Sequence, residues 1–447
     1  MNMDRFIDTL LAAAAAAGIE TAEVYYQTGS SFRASAMEGE INDYQVSSSC
    51  GLSLRGTVNG RMGYAATQAF DEDAVAQLIE GVKESAALAE AEEQDEIFAG
   101  ESEYPPMDEP QTDMDGVSAE EKLALCLAAE KAAKEADSRI WKVESTTLST
   151  VRSTVGLRNS HGLDLHWNDC LCYAYTQPIA KDGDSTGLGF TIECGKNFAD
   201  LNADTLGRKA AAEAVAQLHG APVEAGSYRV IFRNDAMSSL LETFCGVFSA
   251  ENAQQKMSLL GGREGTAIAA DLVTLMDDPL LPGGLASCPF DAEGSASRTK
   301  AVIDKGVLTT LLHSRKTARK QGVATTGNAS RGSYSSPVRV APTNFFFKPG
   351  EKTLEELMAD MGEGLVITEL GGLHAGANPT SGDFSLIAKG YTVEGGQRGR
   401  AVEQITVAGN FYELLKSIRA MGSDLLFPAS MVGSPSVDVG TLQVSGK

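Results

Sequence analysis

No uninterrupted apolar run in the 447 residues approaches the ~20 that a membrane-spanning helix needs. The nearest candidate, Leu10 to Ala17, is mostly alanine and follows Asp4 and Asp8 rather than a basic cluster, so it is expected to be the first helix of a cytoplasmic protein, not a signal peptide. Cysteine is sparse: seven residues, an odd number without disulfide-framework spacing, which points to reduced thiols in a cytosol. Positive charge is short as well. Lys and Arg number 37 against 60 Asp and Glu, a net charge of −23, which repels phosphate backbones and disfavours nucleic acid as a general partner. The one dense basic cluster, Arg315-Lys316-x-x-Arg319-Lys320, has the spacing of one helical turn and reads as a solvated helix face or an ion-pairing surface. Histidine is the scarcest of the metal-binding side chains, with five in the chain and none between His219 and His313.

What is present suits a water-soluble globular chain long enough for two cores, with 43% hydrophobic and 22% charged residues. Met3 to Ala17 reads as a helix ended by Gly18. Short strands are expected at 22–27, 31–38, 41–49, 51–58 and 61–67, with turns at Gly39-Glu40 and Asn59-Gly60, the latter a strong hairpin signal because both turn positions need positive φ. A helix opens at Asp71 and runs to about Ala91, with Val75, Leu78, Ile79, Val82 and Ala86 on one face. The stretch from Glu90 to Gly116 is acidic and carries Pro105, Pro106 and Pro110, so it is a connection rather than a helix. Ser118 and Glu121 spell a capping box for a helix to about Ala136. Alternating strands follow from Trp141 to about Glu193, then a helix from Leu201 to Gln217, stopped by Gly220 and Pro222. That stop marks the expected boundary between an N-terminal α+β domain, 1–222, and a C-terminal strand-rich domain, 223–447, with an antiparallel sheet. Strand runs and helices are segregated, which is an α+β pattern rather than alternating βαβ.

The distinctive wording lies after residue 228. A strand from Tyr228 to Phe232 leads into the apolar segment 234–251, which opens on Asn234 and Asp235, both good N-cap residues. Then come Asp277-Asp278-Pro279-Leu280-Leu281-Pro282-Gly283-Gly284-Leu285 with Pro289-Phe290-Asp291-Ala292-Glu293-Gly294, and the hairpin Ile303-Asp304-Lys305-Gly306-Val307-Leu308. The last block runs from Thr368-Glu369-Leu370-Gly371-Gly372 through Ser381-Gly382-Asp383-Phe384-Ser385 to Ile405-Thr406-Val407-Ala408-Gly409-Asn410. In order and spacing these blocks resemble the TldD/PmbA family, whose TldD-type subunit is a zinc peptidase with His-Glu-x-x-x-His on the helix after that strand. Here the corresponding places read Glu242, Thr243 and Val247, and no cysteine follows Cys288, whereas the zinc subunit has a further cysteine ligand near its C-terminus.

The resemblance therefore implies a PmbA (TldE-like) subunit, non-catalytic alone, with no metal in this chain and zinc in a TldD-like partner. The pair would be a cytoplasmic hydrolase acting on unfolded peptides or small proteins. Older descriptions of the family speak of a modulator of DNA gyrase. The glycine-rich stretch around Thr380, Ser381, Gly382 and Asp383 is either a set of tight turns or a wall for an extended peptide. His374 reads as a surface residue.

Other chemistry is weaker. Cys170-x-Cys172 puts two thiols on one strand face, but no second pair completes a tetrahedral zinc set. Cys245 sits in an apolar helix, and Cys288, in a glycine-rich loop, has no identified histidine partner for nucleophilic catalysis. The alternative reading is a non-catalytic homodimeric binding or scaffold protein without membrane or nucleic-acid partners.

Overall fold

The computed structural model describes residues 2–89, 95–110 and 112–447. Its first half is one long antiparallel sheet backed by helices. The chain enters through α1 (Met3–Ala16), capped by the Asn2 side chain, and Gly18 ends it at φ +82°. The expected pairs of short strands are continuous: β1 (Ala22–Met37) and β2 (Glu40–Val58) form one long hairpin across Glu38-Gly39. Thr28 to Ser30, left between two of the expected strands, are held by pairing on both sides of β1. Asn59 and Gly60, at φ 51° and 71°, turn the chain into β3 (Arg61–Thr67). Helix α2 (Glu72–Leu88) packs on β3 so closely that a Cβ on Gly63 would lie 1.9 Å from the Val82 carbonyl oxygen. The expected helix end at Ala91 falls within 90–94 and lies, like residue 111 of the acidic connection, outside the described residues.

Helix α3 (Ala119–Ala136) begins on the Ser118–Glu121 capping box. Strands β4 (Ile140–Asn159), β5 (Asp164–Asp182), β6 (Ser185–Leu188) and β7 (Thr191–Gly195) complete the sheet in the order β3-β2-β1-β4-β5-β6, with β7 also on β5. Helix α4 (Ala203–Ala216) packs beside α3, where Gly207 approaches the Ala129 carbonyl.

The second half is built around a six-stranded sheet. β8 (Gly226–Phe232) lies between strands 364–371 and 437–445, followed on the first side by 383–394 and 397–410. Strand 397–410 also pairs with 437–445, so five strands close into a ring. All ring pairings are antiparallel except β8 with 364–371. Two-sided burial of strands such as Val230-Ile231-Phe232 and Leu365-Val366-Ile367 explains their continuous apolar runs. The α+β class with antiparallel sheets is thus what the chain adopts.

Helix α5 (Asn234–Phe244) crosses this second core, with Phe244 stacked on Phe411 at 4.6 Å between ring centres and edge-on to Phe384 at 6.3 Å. Two details differ from expectation. Arg233, not Asn234 or Asp235, occupies the N-cap, because Asn234 is drawn away to donate to the Asp424 carbonyl. The segment is also not one helix to residue 251. It tightens into a 3-10 turn over Cys245–Phe248 and restarts at Ala250, capped by Ser249.

The halves meet over a buried ionic cluster. Glu23 of β1 is 0% exposed and lies between Arg55 of β2 (3.1 Å) and Arg331 of the C-terminal half (2.9 Å). Removing one partner of a buried pair leaves an uncompensated charge and costs about 3–5 kcal/mol. Arg331→Ala is therefore expected to lower unfolding free energy by about that amount, read from the urea midpoint at unchanged m-value. A loss within the range of ordinary surface substitutions would show that the cluster does not hold the halves together.

Candidate functional site

The segment between Met421 and Ser436 runs back along α5 and supplies one wall of the candidate site. Asn234 donates to the Asp424 carbonyl (2.9 Å), Ser238 to the Leu426 carbonyl (3.3 Å) and Ser430 to Glu242 Oε1 (2.9 Å). Glu242 is exposed and its carboxylate is already engaged by that hydroxyl. Thr243 turns its hydroxyl back onto the Ser239 carbonyl within its own helix (2.8 Å). Val247 is buried in the 3-10 turn, among the apolar side chains of the second core. The three positions singled out by sequence thus diverge: one faces the tail, one its own helix, one the core.

Zinc takes nitrogen, sulfur or carboxylate donors, usually four in a structural site and three plus water in a catalytic one. The three singled-out positions and the facing Ser430 bring one carboxylate, two hydroxyls and an isopropyl group. Two thiols lie nearby, Cys245 after the helix and Cys194 within 4.0 Å of the Phe427 carbonyl. Burial raises both, Cys245 to about 11, so neither is a ready thiolate. Among the described residues no three His, Cys, Asp or Glu side chains assemble into a set that could hold a metal. The donors present do not fit zinc.

The remaining thiols are structural in their contacts. Cys172 donates to the Asn197 carbonyl (2.9 Å) and Cys170 to the Lys196 carbonyl (3.4 Å). Burial pushes the Cys172 and Cys288 thiols up to about 12. His161, His166 and His374 are exposed. One spelling escaped the sequence reasoning: Gly183-Asp184-Ser185-Thr186-Gly187 matches the Gly-x-Ser-x-Gly pattern of hydrolase nucleophiles. It lies on the β5–β6 hairpin, not at a strand-to-helix elbow, and Ser185 Oγ accepts from the His219 backbone N–H while the His219 ring bonds Asp182. The imidazole's hydrogen bond thus goes to Asp182, and only the His219 backbone meets the serine hydroxyl.

Thr380 to Asp383 form a tight turn before strand 383–394. Asn378 Oδ1 accepts from the Thr380 and Ser381 amides. Asn410 donates to the Ser381 carbonyl and to Asp383 Oδ1, and Ser381 donates to Asp383 Oδ2. The hydrogen bond from Asn410, then that from Ser381, lowers the Asp383 carboxyl below its ordinary value. Gly382, at φ +84°, would push a Cβ to 2.5 Å from the Tyr412 ring. Most polar groups of the turn serve its own geometry, leaving the exposed Thr380 side chain outermost.

The strongest electrostatic feature lies elsewhere, in the seam between the halves, and was not legible in the sequence as a site. A cavity of about 470 Å³ there is lined by Arg55, Tyr64, Glu293, Thr317, Lys320 and Arg339, among others. Glu293 is 1% exposed; Oε2 accepts the Arg315 amide (2.8 Å) and Oε1 lies 3.8 Å from Arg55. Burial raises Glu293 to about 7 and its neighbour Asp291 to about 6. The basic cluster at 315–320 is a helix, as its spacing predicts, and Arg315 and Arg319 both clasp Glu96 from the connecting segment. The arginine of that pair nearer the seam also lies 3.6 Å over the Phe98 ring.

Sequence models of the PmbA/TldA metallopeptidase family match three successive stretches: domain 1 at 22–89, the central domain at 113–218 and the C-terminal domain at 225–446. Metalloprotease PmbA of Escherichia coli O157:H7 is 27% identical over 410 residues, covering 90% of this chain and 88% of its own. A solved Thermotoga maritima structure, described as a proposed modulator of a DNA gyrase, is 32% identical and covers 99% of this chain and 100% of its own, with a TM-score of 0.92. TldE from Thermococcus kodakarensis, 21% identical, has the same fold, with a TM-score of 0.88 over 99% of this chain and 100% of that one.

Because Glu293 and Asp291 have raised values, the folded chain holds more protons there than the unfolded chain between pH about 4.5 and about 7. Their contribution to stability is present below that window and is lost as pH rises through it. Glu293→Gln removes the titration while keeping an acceptor for the Arg315 amide. The melting temperature of this variant relative to wild type is expected to rise from pH 5 to pH 8. A difference independent of pH would refute the assignment.

Proposed function

The chain belongs to the PmbA/TldD metallopeptidase family, and from that premise we propose that it is a PmbA/TldE-like subunit whose chemistry is completed by a TldD-like partner. The observation that carries this is the meeting of α5 with the C-terminal tail. Helix and tail come together side by side, but the groups they bring are the Glu242 carboxylate and the Ser430 hydroxyl, while Val247 is turned into the core. A zinc-dependent peptidase needs a metal that polarises the scissile carbonyl and activates water. Among the described residues no set of groups suits that role, which supports a reading in which the zinc is held by the partner.

What the chain's own residues can do is shape and support. The turn at 380–383 is rigid through Asn378 and Asn410 and presents Thr380 at its surface. In a two-chain assembly it would form part of the wall along which an unfolded peptide passes, with specificity left to main-chain contacts and side-chain pockets. The ion-paired seam would keep that wall fixed relative to the N-terminal sheet. The net charge of −23 speaks against nucleic acid as the ligand.

Purified alone, the chain is expected to carry less than stoichiometric zinc and to show no peptidase activity. Mixed with a TldD-like partner it should give a complex that contains zinc and cleaves unfolded peptides. Glu242→Ala is expected to leave the zinc content and activity of that complex within about twofold, since a single exposed carboxylate bonded to a hydroxyl contributes little. Stoichiometric zinc in the lone chain, lost in Glu242→Ala, would overturn the proposal. Failure to bind or activate any TldD-like protein would favour a homodimeric scaffold instead.

A further inference from the structure

The cavity in the seam plays no part in the peptidase role, and its charges are sorted by depth. At its floor lie Glu293, 1% exposed, and Arg55, 4% exposed, with the partly buried Asp95 beside them. Around this floor acids outnumber bases. Glu23, Asp95, Asp291 and Glu293 gather about two guanidiniums, those of Arg55 and Arg331, while Arg315 turns its own to Glu96. At the mouth the balance is reversed. Lys320 and Arg339 stand exposed there beside Glu251. Arg339 bonds Glu251 at 2.8 Å, and Lys320 has no ion-pair partner among the described residues.

One atom of the floor is unsatisfied. Glu293 Oε2 accepts the Arg315 amide, but Oε1 accepts no hydrogen bond from any described residue, and Arg55 stands off at 3.8 Å. Buried polar atoms are ordinarily partnered. Desolvation first, then repulsion from Asp291 and from Asp95, raises the Glu293 carboxyl. A carboxyl so raised marks a place where one further positive charge would be stabilised. Between floor and mouth the wall is the Tyr64 ring, Met62 and Val338, apolar surface against which a side chain can pack.

We propose that this cavity binds a short zwitterionic peptide, with its α-ammonium at Glu293 and its carboxylate at Lys320. The volume, about 470 Å³, is that of a small-molecule site. The ammonium donates to Glu293 Oε1 and adds the cation that the floor lacks. The carboxylate meets the basic mouth, and the side chains lie along Tyr64 and Val338. The polarity of the cavity selects this class of ligand. An inorganic anion would satisfy the mouth alone, and a simple amine the floor alone. A free amino acid carries both charges on one carbon, whereas a peptide separates them as the cavity does. Binding is a property of the chain by itself and does not depend on where the zinc of any complex resides.

The test is isothermal titration calorimetry of the full chain at pH 7.5 with the dipeptide leucylglycine, which should bind saturably at one site per chain. N-acetyl-leucylglycine, without the ammonium, and leucylglycinamide, without the carboxylate, should each bind at least about tenfold more weakly. Glu293→Gln, which keeps an acceptor for the Arg315 amide, should weaken leucylglycine at least about tenfold, and Lys320→Glu at the exposed mouth at least about threefold, both with unchanged circular dichroism. Lowering the pH to 5.5 protonates Glu293, which Arg55, Asp95, Asp291 and the Arg315 amide surround, so wild-type affinity should fall at least about tenfold and that of Glu293→Gln far less. No binding at millimolar leucylglycine overturns the proposal. So does equal affinity for the acetylated peptide, or binding that neither substitution weakens.

Discussion

Glu23 is the constraint around which the two halves are arranged. A carboxylate with no solvent exposure is tolerable only if its charge is met by well-placed donors. Here Arg55 approaches from the next strand of the same sheet and Arg331 from more than three hundred residues away. Arg331 also stacks 4.5 Å over Tyr25 and donates to Ser53, so its position is set by the N-terminal sheet as much as by its own loop. Arg55 passes the constraint on to Asp95 and Glu293. Around it the seam gathers further ties: Tyr64 donates to the Tyr334 carbonyl, Tyr104 to the Gly294 carbonyl, and Arg315 and Arg319 hold Glu96. Such a network is weak evidence for stability as such, because desolvation offsets much of the attraction. Its consequence is orientation: in this arrangement Glu23 of one half meets Arg331 of the other, and Arg55 faces Glu293.

That rigidity bears on the proposed reading, in which a chain of a peptidase family serves without a metal of its own. Helix α5 and the tail lie together through hydrogen bonds from Asn234 and Ser238, made before any question of a metal arises. With the scaffold held by backbone bonds and aromatic packing around Phe244, the positions at 242, 243 and 247 are free to carry other residues. A hydroxyl–carboxylate pair and a buried valine satisfy them locally. On the proposed reading, other residues at these positions cost the fold little, which is the physical condition for dividing labour between two related chains.

Much of the secondary structure was legible because it depends on short-range chemistry. The Ser118–Glu121 capping box, the Asn59-Gly60 hairpin and the alanine helix ended by Gly18 are local signals, and each stands where its residues predict. The errors fall where distant groups intervene. Short strands were expected with gaps at 28–30 and at Cys50, yet pairing of β1 with β4 and of β1 with β2 keeps both strands whole. Asn234 looked like an N-cap, yet the tail draws its side chain to Asp424. The segment 234–251 looked like one helix, yet it tightens after Phe244 and restarts on Ser249. The Ser185 spelling of a hydrolase motif has no chemistry on a hairpin, which only the pairing of β5 with β6 reveals.

Family and fold class were determined by the sequence itself, because ordered blocks of residues are properties of the chain. Which groups become perturbed was decided by tertiary structure alone. Glu293 reads as one acid among many until burial raises it, and Glu23 is unremarked until an arginine 308 positions away reaches it. The sorting of charge by depth in the seam cavity is likewise invisible in one dimension, since Arg55, Glu293 and Lys320 line one space only once the chain has folded. Desolvation, long-range ion pairing and strand adjacency are each created by folding, and no local pattern encodes them.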